Sequence, residues 1–324
     1  MEEKMNRIYY SYSEYLVRKY GAKVYKLPIN LPITCPNRIE SSGCTFCSEK
    51  GTGFEAQENT KSVSSQILEN MEYISKRYKA KKFIAYFQNY TNTFMPVDLF
   101  EKYMYEAALL ENIVEISVST RPDCINDEYL SVLRNIERKY HIEISIELGL
   151  QTVNYHTLDK INRGHGLAEY IDAVLKISQY GFEICTHVIL NLPYDNNRDV
   201  LETAKIISAL PVHAVKIHSL YIPKDTVMCT AYEAGKITLC TKDEYLEKLI
   251  IFIEHLRPEI VVERLFSRIP EQDSEFSNWN TSWWKLKDEF VALMKNKNSY
   301  QGIAFDYLNG AALARGGYCF GIKK

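Results

Sequence analysis

Three cysteines fall within thirteen residues, Cys35, Cys44 and Cys47, in the spacing C-x8-C-x2-C. Thiolates bind zinc and iron–sulfur clusters alike. A structural zinc site needs a fourth protein ligand, but the next cysteine in sequence is Cys124 and the first histidine is His141. A trio with no local fourth ligand leaves one metal position open, where a substrate or cofactor can bind. On spacing alone, zinc and iron–sulfur stand as equal readings. The remaining cysteines, Cys124, Cys185, Cys229, Cys240 and Cys319, are scattered and read as ordinary thiols.

A second set of chemical residues shows as alternation. In Ile142–Gln151 the apolar Ile142, Ile144, Ile146, Leu148 and Leu150 interleave with Glu143, Ser145, Glu147, Gly149 and Gln151. Successive strand side chains point to opposite faces, so one face is apolar and the other polar. The same split sets Val114, Ile116 and Val118 against Glu115, Ser117, Ser119 and Arg121. It sets Thr186, Val188 and Leu190 against His187, Ile189 and Asn191, and Val215 and Ile217 against Lys216 and His218.

The elements that carry these residues alternate. Strands are expected at Lys26–Thr34, Phe83–Asn89, Ile113–Thr120, Ile142–Leu150, Glu183–Asn191 and Val212–Tyr221. Helices are expected between them, at Ser62–Tyr78, Val97–Glu111, Asp127–Tyr140, Leu167–Tyr180 and Arg198–Leu210. Such alternation implies parallel strands joined by crossovers. The fold class expected is α/β, a partial (β/α)6 TIM-like barrel with a C-terminal α/β extension. The extension holds a helix at Lys242–His255, a strand at Glu259–Leu265 and a tryptophan-bearing helix at Ser282–Lys295. Residues 1–25 form an N-terminal helical segment, 26–225 the barrel and 226–324 the extension. Within the extension, Tyr300–Lys324, with Gly316-Gly317-Tyr318, closes the barrel or contacts substrate. Helices cover the apolar strand face, so the polar face looks into a lumen fit for a large polar ligand at the C-terminal strand ends. The cysteine trio lies where that lumen opens.

Composition narrows the class. The 324 residues are 46% apolar and 25% charged, with 39 basic against 41 acidic side chains. That is a globular profile with no overall basic signature for nucleic acid. The local basic run Lys76–Lys82 reads as a solvated helix end. No run reaches the ~20 apolar residues of a membrane span. The charged, tyrosine-rich start lacks the apolar stretch of a signal peptide, so a cytoplasmic protein is expected.

With the trio and the strand rhythm together, the chain resembles radical S-adenosylmethionine (SAM) enzymes. It is most similar to the bacterial YhcC/YtqA-like (MnmL-like) family, related to the branch of the elongator catalytic subunit and oxygen-independent coproporphyrinogen oxidase. The resemblance is carried by TCPNR at Thr34–Arg38, GCTFC at Gly43–Cys47, YFQNYTNT at Tyr86–Thr93, TRPDC at Thr120–Cys124, ELGLQ at Glu147–Gln151, INRGH at Ile161–His165 and the pair Lys216 and His218. It covers roughly residues 20 to 265 in order and spacing.

The resemblance implies that Cys35, Cys44 and Cys47 hold a [4Fe–4S] cluster whose open iron chelates SAM. It places Phe46 along the adenine. Gln88 and Asn89 stand where relatives meet the methionine amine with a glycine-rich strand end, and no glycine pair occurs here. Ser119 stands where relatives often carry glutamate. Glu147, Gln151, Arg163 and His187 fall among cofactor-binding positions, Arg163 with a cation suited to a carboxylate. The activity implied is reductive cleavage of SAM to modify the wobble uridine of tRNA, fed by a flavodoxin- or ferredoxin-type electron donor. The reaction expected converts 5-carboxymethylaminomethyluridine, or its 2-thio form, to the 5-aminomethyl form. Strand phase then nominates Lys216, with Arg121 second, to hold the substrate carboxylate, and His218 as proton donor or acceptor, the alternative being that Lys216 and His218 merely pair with the lumen carboxylates Glu115 and Glu147. A protein or small-metabolite substrate is the alternative within the class. A zinc-stabilised, non-catalytic module is the alternative outside it.

Overall fold

The computed structural model describes residues 7–48, 56–311 and 313. Gly316–Tyr318 and Cys319 lie outside the described residues. The strands are β1 (Val24–Ile29), β2 (Lys82–Phe87), β3 (Ile113–Thr120), β4 (Glu143–Gln151), β5 (Glu183–Ile189), β6 (Ala214–His218), β7 (Ile222–Pro223), β8 (Val261–Arg264) and β9 (Ser274–Phe276). The helices are α1 (Tyr12–Tyr20), α2 (Pro36–Glu40), α3 (Val63–Tyr78), α4 (Val97–Ala108), α5 (Asp127–Tyr140), α6 (Tyr155–Lys160), α7 (Leu167–Gln179), α8 (Asn197–Ala209), α9 (Val227–Glu233), α10 (Lys242–His255) and α11 (Trp283–Asn296).

Helix starts follow local chemistry. Ser62, Asn126 and Thr241 accept backbone N–H bonds at the heads of α3, α5 and α10. Such caps satisfy donors that the first turn leaves open. The apolar strand residues pack against the helices in one continuous core.

Seven strands form one parallel sheet in the order β1-β2-β3-β4-β5-β6-β8, a curled half-barrel. The partial barrel is the architecture expected, with one more strand than the six counted. The strand at Glu259–Leu265, assigned to the extension, joins the sheet beside β6 as β8. Periodicity marks a strand but does not say which edge it will pair with.

The lumen is polar, and it is closed from below. Leu16 of α1 packs on Val24 and Ile84 at the lumen floor. Tyr15 and Lys19 of α1 bond Glu183, and Tyr20 bonds Glu115 at 2.7 Å. The sheet's open seam, between β1 and β8, is bridged by the ion pair Lys26–Glu263 at 2.8 Å. Residues before α1 add to the closure, since Val262 donates to the Tyr10 carbonyl at 2.7 Å. The described part of the C-terminal segment sits with this closure. Gln301 accepts from Tyr10 N–H at 2.8 Å and donates to the carbonyls of Arg257 and Ile260.

Candidate active site

The chain leaves β1 and turns into α2 with Cys35 as its N-cap and Pro36 in the first turn. Pro has no N–H to lose there, so it sets the turn at no cost in hydrogen bonds. The motifs read from the sequence gather around this loop. Asn37 donates to the Asn162 carbonyl at 2.6 Å, Asn162 to the Gly43 carbonyl at 2.7 Å, and Thr45 N–H to the Ile161 carbonyl at 2.9 Å. Asn92 donates to the carbonyls of Phe87 and Ser119, tying the ends of β2 and β3.

Each sulfur of the trio faces an arginine. Arg121 Nη1 donates to Cys35 at 3.6 Å, Arg163 Nη1 to Cys44 at 3.5 Å and Arg38 Nη2 to Cys47 at 3.5 Å. The three sulfurs are not all within 4.8 Å of one another; among the described residues only Glu147, Cys185 and His187 meet that spacing. Thiolates on one zinc would stand about 3.8 Å apart, from Zn–S bonds of about 2.3 Å in a tetrahedron. The trio therefore suits a group larger than one ion, with positive charge arranged to offset thiolate charge.

Two glycines make room for the arginines. A Cβ at Gly149 would stand 2.6 Å from Arg163 Nη2, and one at Gly164, whose φ is +75°, would stand 3.1 Å from Arg121 Nη2 and 2.6 Å from Asn37 Oδ1. Arg163 donates Nη2 to the Gly149 carbonyl at 2.7 Å, and its buried Nε has no partner. A buried unpaired donor is costly, and a ligand would relieve it. Thr91 Oγ1, also in the cavity wall, is likewise buried and unpaired. Gln151 ends β4 at φ +78°, where a bulge against β5 turns it toward the cavity. A non-glycine residue at positive φ is uncommon and costs about 1–3 kcal/mol, strain that clusters at functional sites.

Below the loop, Glu147 is the hub of a buried network. It accepts from Lys216 at 2.6 Å, His187 Nε2 at 2.6 Å, Tyr86 at 2.9 Å and also from Lys26. Burial pushes its pKa up, but Lys216 and Lys26 outweigh that and hold it well below the usual carboxylate range. Glu263 is depressed the same way, burial being overcome by Lys216 and Lys26. Lys216 bonds Glu147, Glu263 at 2.7 Å and Tyr86 at 3.1 Å. An ammonium has three N–H donors, so all three are occupied. The expectation that Lys216 holds a substrate carboxylate is therefore revised, because two glutamates already hold it. Arg121 is committed too, to Asp123 through Nε and Nη2 and to the Gly164 carbonyl at 3.0 Å.

His187 and His218 stand above this floor with ring centroids 5.4 Å apart. Burial and Lys216 lower the pKa of His187 against the pull of Glu147. Burial, then His187 and Arg264, hold His218 well below the ordinary imidazole value. Both rings are thus neutral near pH 7. Ser267 gives its hydroxyl proton to the Ser219 carbonyl at 2.7 Å, so toward His218 Nδ1, at 3.3 Å, it can only accept. His218 then carries its proton on Nδ1 and presents Nε2 as an acceptor.

The cavity at the C-terminal strand ends has a volume of about 1260 Å³ including its open mouth. Cys35, Cys44, Cys47, Phe46, Gln88, Ser119, Arg121, Glu147, Gln151, Arg163, His187, Lys216 and His218 all line it. Asn89 does not: it is buried outside the lining and donates to Asn30 Oδ1 at 2.8 Å, because β2 ends at Phe87 and alternation stops there. Sequence reasoning missed Lys26, Glu263, Arg264 and the arginine on Cys47, Arg38. The signal was thin for β8. Register there jumps from Val262 to Arg264, leaving Glu263 as an extra residue. A bulge lets two successive side chains reach the same side, which strict alternation forbids.

Comparison with known proteins agrees with this geometry. The profile described as "Radical SAM superfamily" matches residues 29–207, and that described as "Radical_SAM C-terminal domain" matches residues 212–296. Uncharacterized protein YtqA of Bacillus subtilis (strain 168) is 34% identical over 304 residues, covering 93% of this chain and 94% of that protein. Protein YhcC of Escherichia coli (strain K12) is 34% identical over 292 residues, covering 89% and 93%. Among solved structures, the archaeal Methanocaldococcus infernus Elp3 with an N-terminal deletion superposes with a TM-score of 0.66 at 14% identity. That match spans 86% of this chain and 64% of the Elp3 chain, and it speaks to fold alone.

Proposed function

The chain belongs to the radical SAM superfamily, and on that premise we propose that it removes the carboxymethyl group from 5-carboxymethylaminomethyluridine, or its 2-thio form, at the wobble position of tRNA. The methylene that has lost its hydrogen atom returns one electron to the donor side and becomes an imine. Water hydrolyses that imine, so the carboxymethyl group leaves as glyoxylate and the nucleoside product is the 5-aminomethyl form. Superfamily membership makes it an enzyme with a [4Fe–4S] cluster and SAM as cofactors and a need for an electron donor. We assign that donor to the flavodoxin or ferredoxin type. The observation that carries the enzymatic reading is the arginine-paired cysteine trio at the mouth of a polar barrel lumen.

Cys35, Cys44 and Cys47 would hold the cluster, with Phe46, Gln88, Ser119, Gln151, Arg163 and His187 around SAM. When bound, this pair supplies one-electron cleavage of a sulfonium, and with it the removal of a hydrogen atom from an unactivated carbon. The chain's own residues do the rest. Arg38, Arg121 and Arg163 offset thiolate charge. The unpaired Nε of Arg163 and hydroxyl of Thr91 offer donors to a polar ligand. The network of Lys26, Glu147, Lys216 and Glu263 carries two positive and two negative charges, so the lumen floor is neutral, and with α1 beneath it excludes water from below.

The substrate reading rests on the sequence resemblance and is supported by chemistry at the rim. Arg268 lines the cavity and lies 3.9 Å over the exposed Trp283, with Trp284 and Lys285 beside it. Aromatic faces interleaved with cations suit an unpaired nucleic-acid strand. In the group removed, N–CH2–COO⁻, the methylene adjoins nitrogen, which stabilises the carbon centre left by hydrogen loss.

The test is to reconstitute the protein anaerobically, reduce it, and supply SAM with tRNA bearing the carboxymethylaminomethyl group. Digested tRNA should show the aminomethyl nucleoside, with 5′-deoxyadenosine and methionine released. SAM cleavage with unchanged tRNA would reject the substrate and leave a protein or small metabolite in its place.

A further inference from the structure

The charges lining the cavity do not balance along one wall. Arg38, Arg121 and Arg163 each hold a cysteine sulfur, Lys216 is bound by two carboxylates, and Arg268 lies on Trp283. The guanidinium of Arg264, at the C-terminal end of β8, has no hydrogen bond or ion pair among the described residues, and the residue lines the same cavity. It is half-buried, so its charge is only partly screened by solvent. It sits at the register position of Lys216, one strand over, and acts electrostatically on His218.

We propose that Arg264 and His218 together bind the –NH–CH2–COO⁻ arm of the substrate, the guanidinium taking the carboxylate and His218 Nε2 accepting the neighbouring N–H. This deepens the functional reading above and rests on it. A guanidinium fork alone would accept phosphate as readily as carboxylate. The imidazole decides between them. The serine relay Ser267 to Ser219 fixes the His218 proton on Nδ1, so Nε2 meets the ligand as a lone pair. A lone pair beside the cation repels a second anionic oxygen and attracts an N–H. The pair therefore suits a ligand that carries an N–H beside its anion rather than a second anionic oxygen, and the –NH–CH2–COO⁻ arm has both. The same reading explains why Lys216, nominated by strand phase, is not needed to hold the carboxylate. The bulge in β8 brings a cation with open donors to the next position.

The experiment compares cofactor-loaded wild-type enzyme with Arg264→Gln and Arg264→Lys variants. Dissociation constants are measured for two tRNAs, one carrying the carboxymethylaminomethyl and one the aminomethyl group at the wobble uridine. Iron content checks that each variant is folded and loaded. Wild-type enzyme should bind the carboxylate tRNA roughly 10- to 100-fold more tightly than the aminomethyl tRNA, the span of one charge-assisted hydrogen bond. Arg264→Gln should lose that preference, and Arg264→Lys should keep part of it. Equal affinities in wild type, or a preference that survives in Arg264→Gln, would overturn the proposal. The functional reading fails separately: a preference that depends on Arg264 but leads to no conversion leaves the anion site standing and removes the reaction. Conversion with equal KM in wild type and Arg264→Gln does the reverse.

Discussion

An arginine N–H reaches the sulfur of Cys35, Cys44 and Cys47, although at Cys47 burial outweighs Arg38 and raises the thiol, while no arginine reaches Cys229 or Cys240 among the described residues. Reconstituted protein should bind about four irons. Cys35→Ala, Cys44→Ala or Cys47→Ala should remove most of that iron, whereas Cys229→Ala and Cys240→Ala should retain it by colorimetric assay. Stoichiometric zinc without iron after anaerobic work would contradict the assignment. Gly149→Ala probes the neighbouring shell. Its Cβ would displace Arg163 Nη2, so SAM affinity in equilibrium dialysis should fall roughly ten-fold, the worth of one hydrogen bond to a charged group, with iron retained. At this scale the sequence was informative wherever alternation held. Glu147, Ser119, His187, Lys216 and His218 all face the lumen as strand phase requires. It was silent on Arg264, behind a bulge, and alternation gave no guidance on Asn89, which the resemblance nominated and which lies beyond a strand's end. It offered Glu147 as an alternative partner for Lys216 but could not show Glu263, which arrives from another strand.

Strands supply the next level of organisation. Lys26 of β1, Glu147 of β4, Lys216 of β6 and Glu263 of β8 join four strands through one buried network. Removing one member leaves a charge buried and unpaired, which costs about 3–5 kcal/mol. Lys216→Met should therefore lower the free energy of urea unfolding by about that amount. Lys216→Met combined with Glu263→Gln should recover part of it, because the members act through shared contacts. Additive losses in the double variant would show that the two residues are not coupled. Helices and strands were readable as units because caps and periodicity are local. Their assembly was not. The docking of α1 under the lumen depends on contacts such as Lys19 with Glu183, 164 residues apart, and no local pattern encodes those.

Across the whole molecule the buried imidazoles set the response to acid. His187 and His218 are held below their ordinary pKa, and His165 is lowered to about 4, by burial and then Arg163. The unfolded chain would protonate each near pH 6.5, while the folded chain resists. Below that pH the unfolded state binds more protons, so stability should fall as pH drops, by up to about 1.4 kcal/mol per pH unit for each histidine. Glu147 and Glu263, depressed in the fold, add to the loss once pH passes below their unfolded value of about 4.3. Urea midpoints measured from pH 8 to 5 should stay level above pH 7 and decline below 6.5. A His187→Gln, His218→Gln double variant should decline less steeply, and an unchanged slope would refute the assignment. Gln301 also acts across the molecule, joining the N-terminal stretch to the link between α10 and β8.

The seam also has a consequence in time. Lys26 and Glu263 lie 237 residues apart. A ribosome adding ~5–20 residues per second needs roughly 10–50 s to make the second after the first. Throughout that interval β1 has no partner across the gap, and the cysteine loop, made soon after β1, stands beside a lumen open along its length. Metal loading during synthesis would meet a site that the finished barrel later encloses, and a chain released before β8 is made would keep that side open for good.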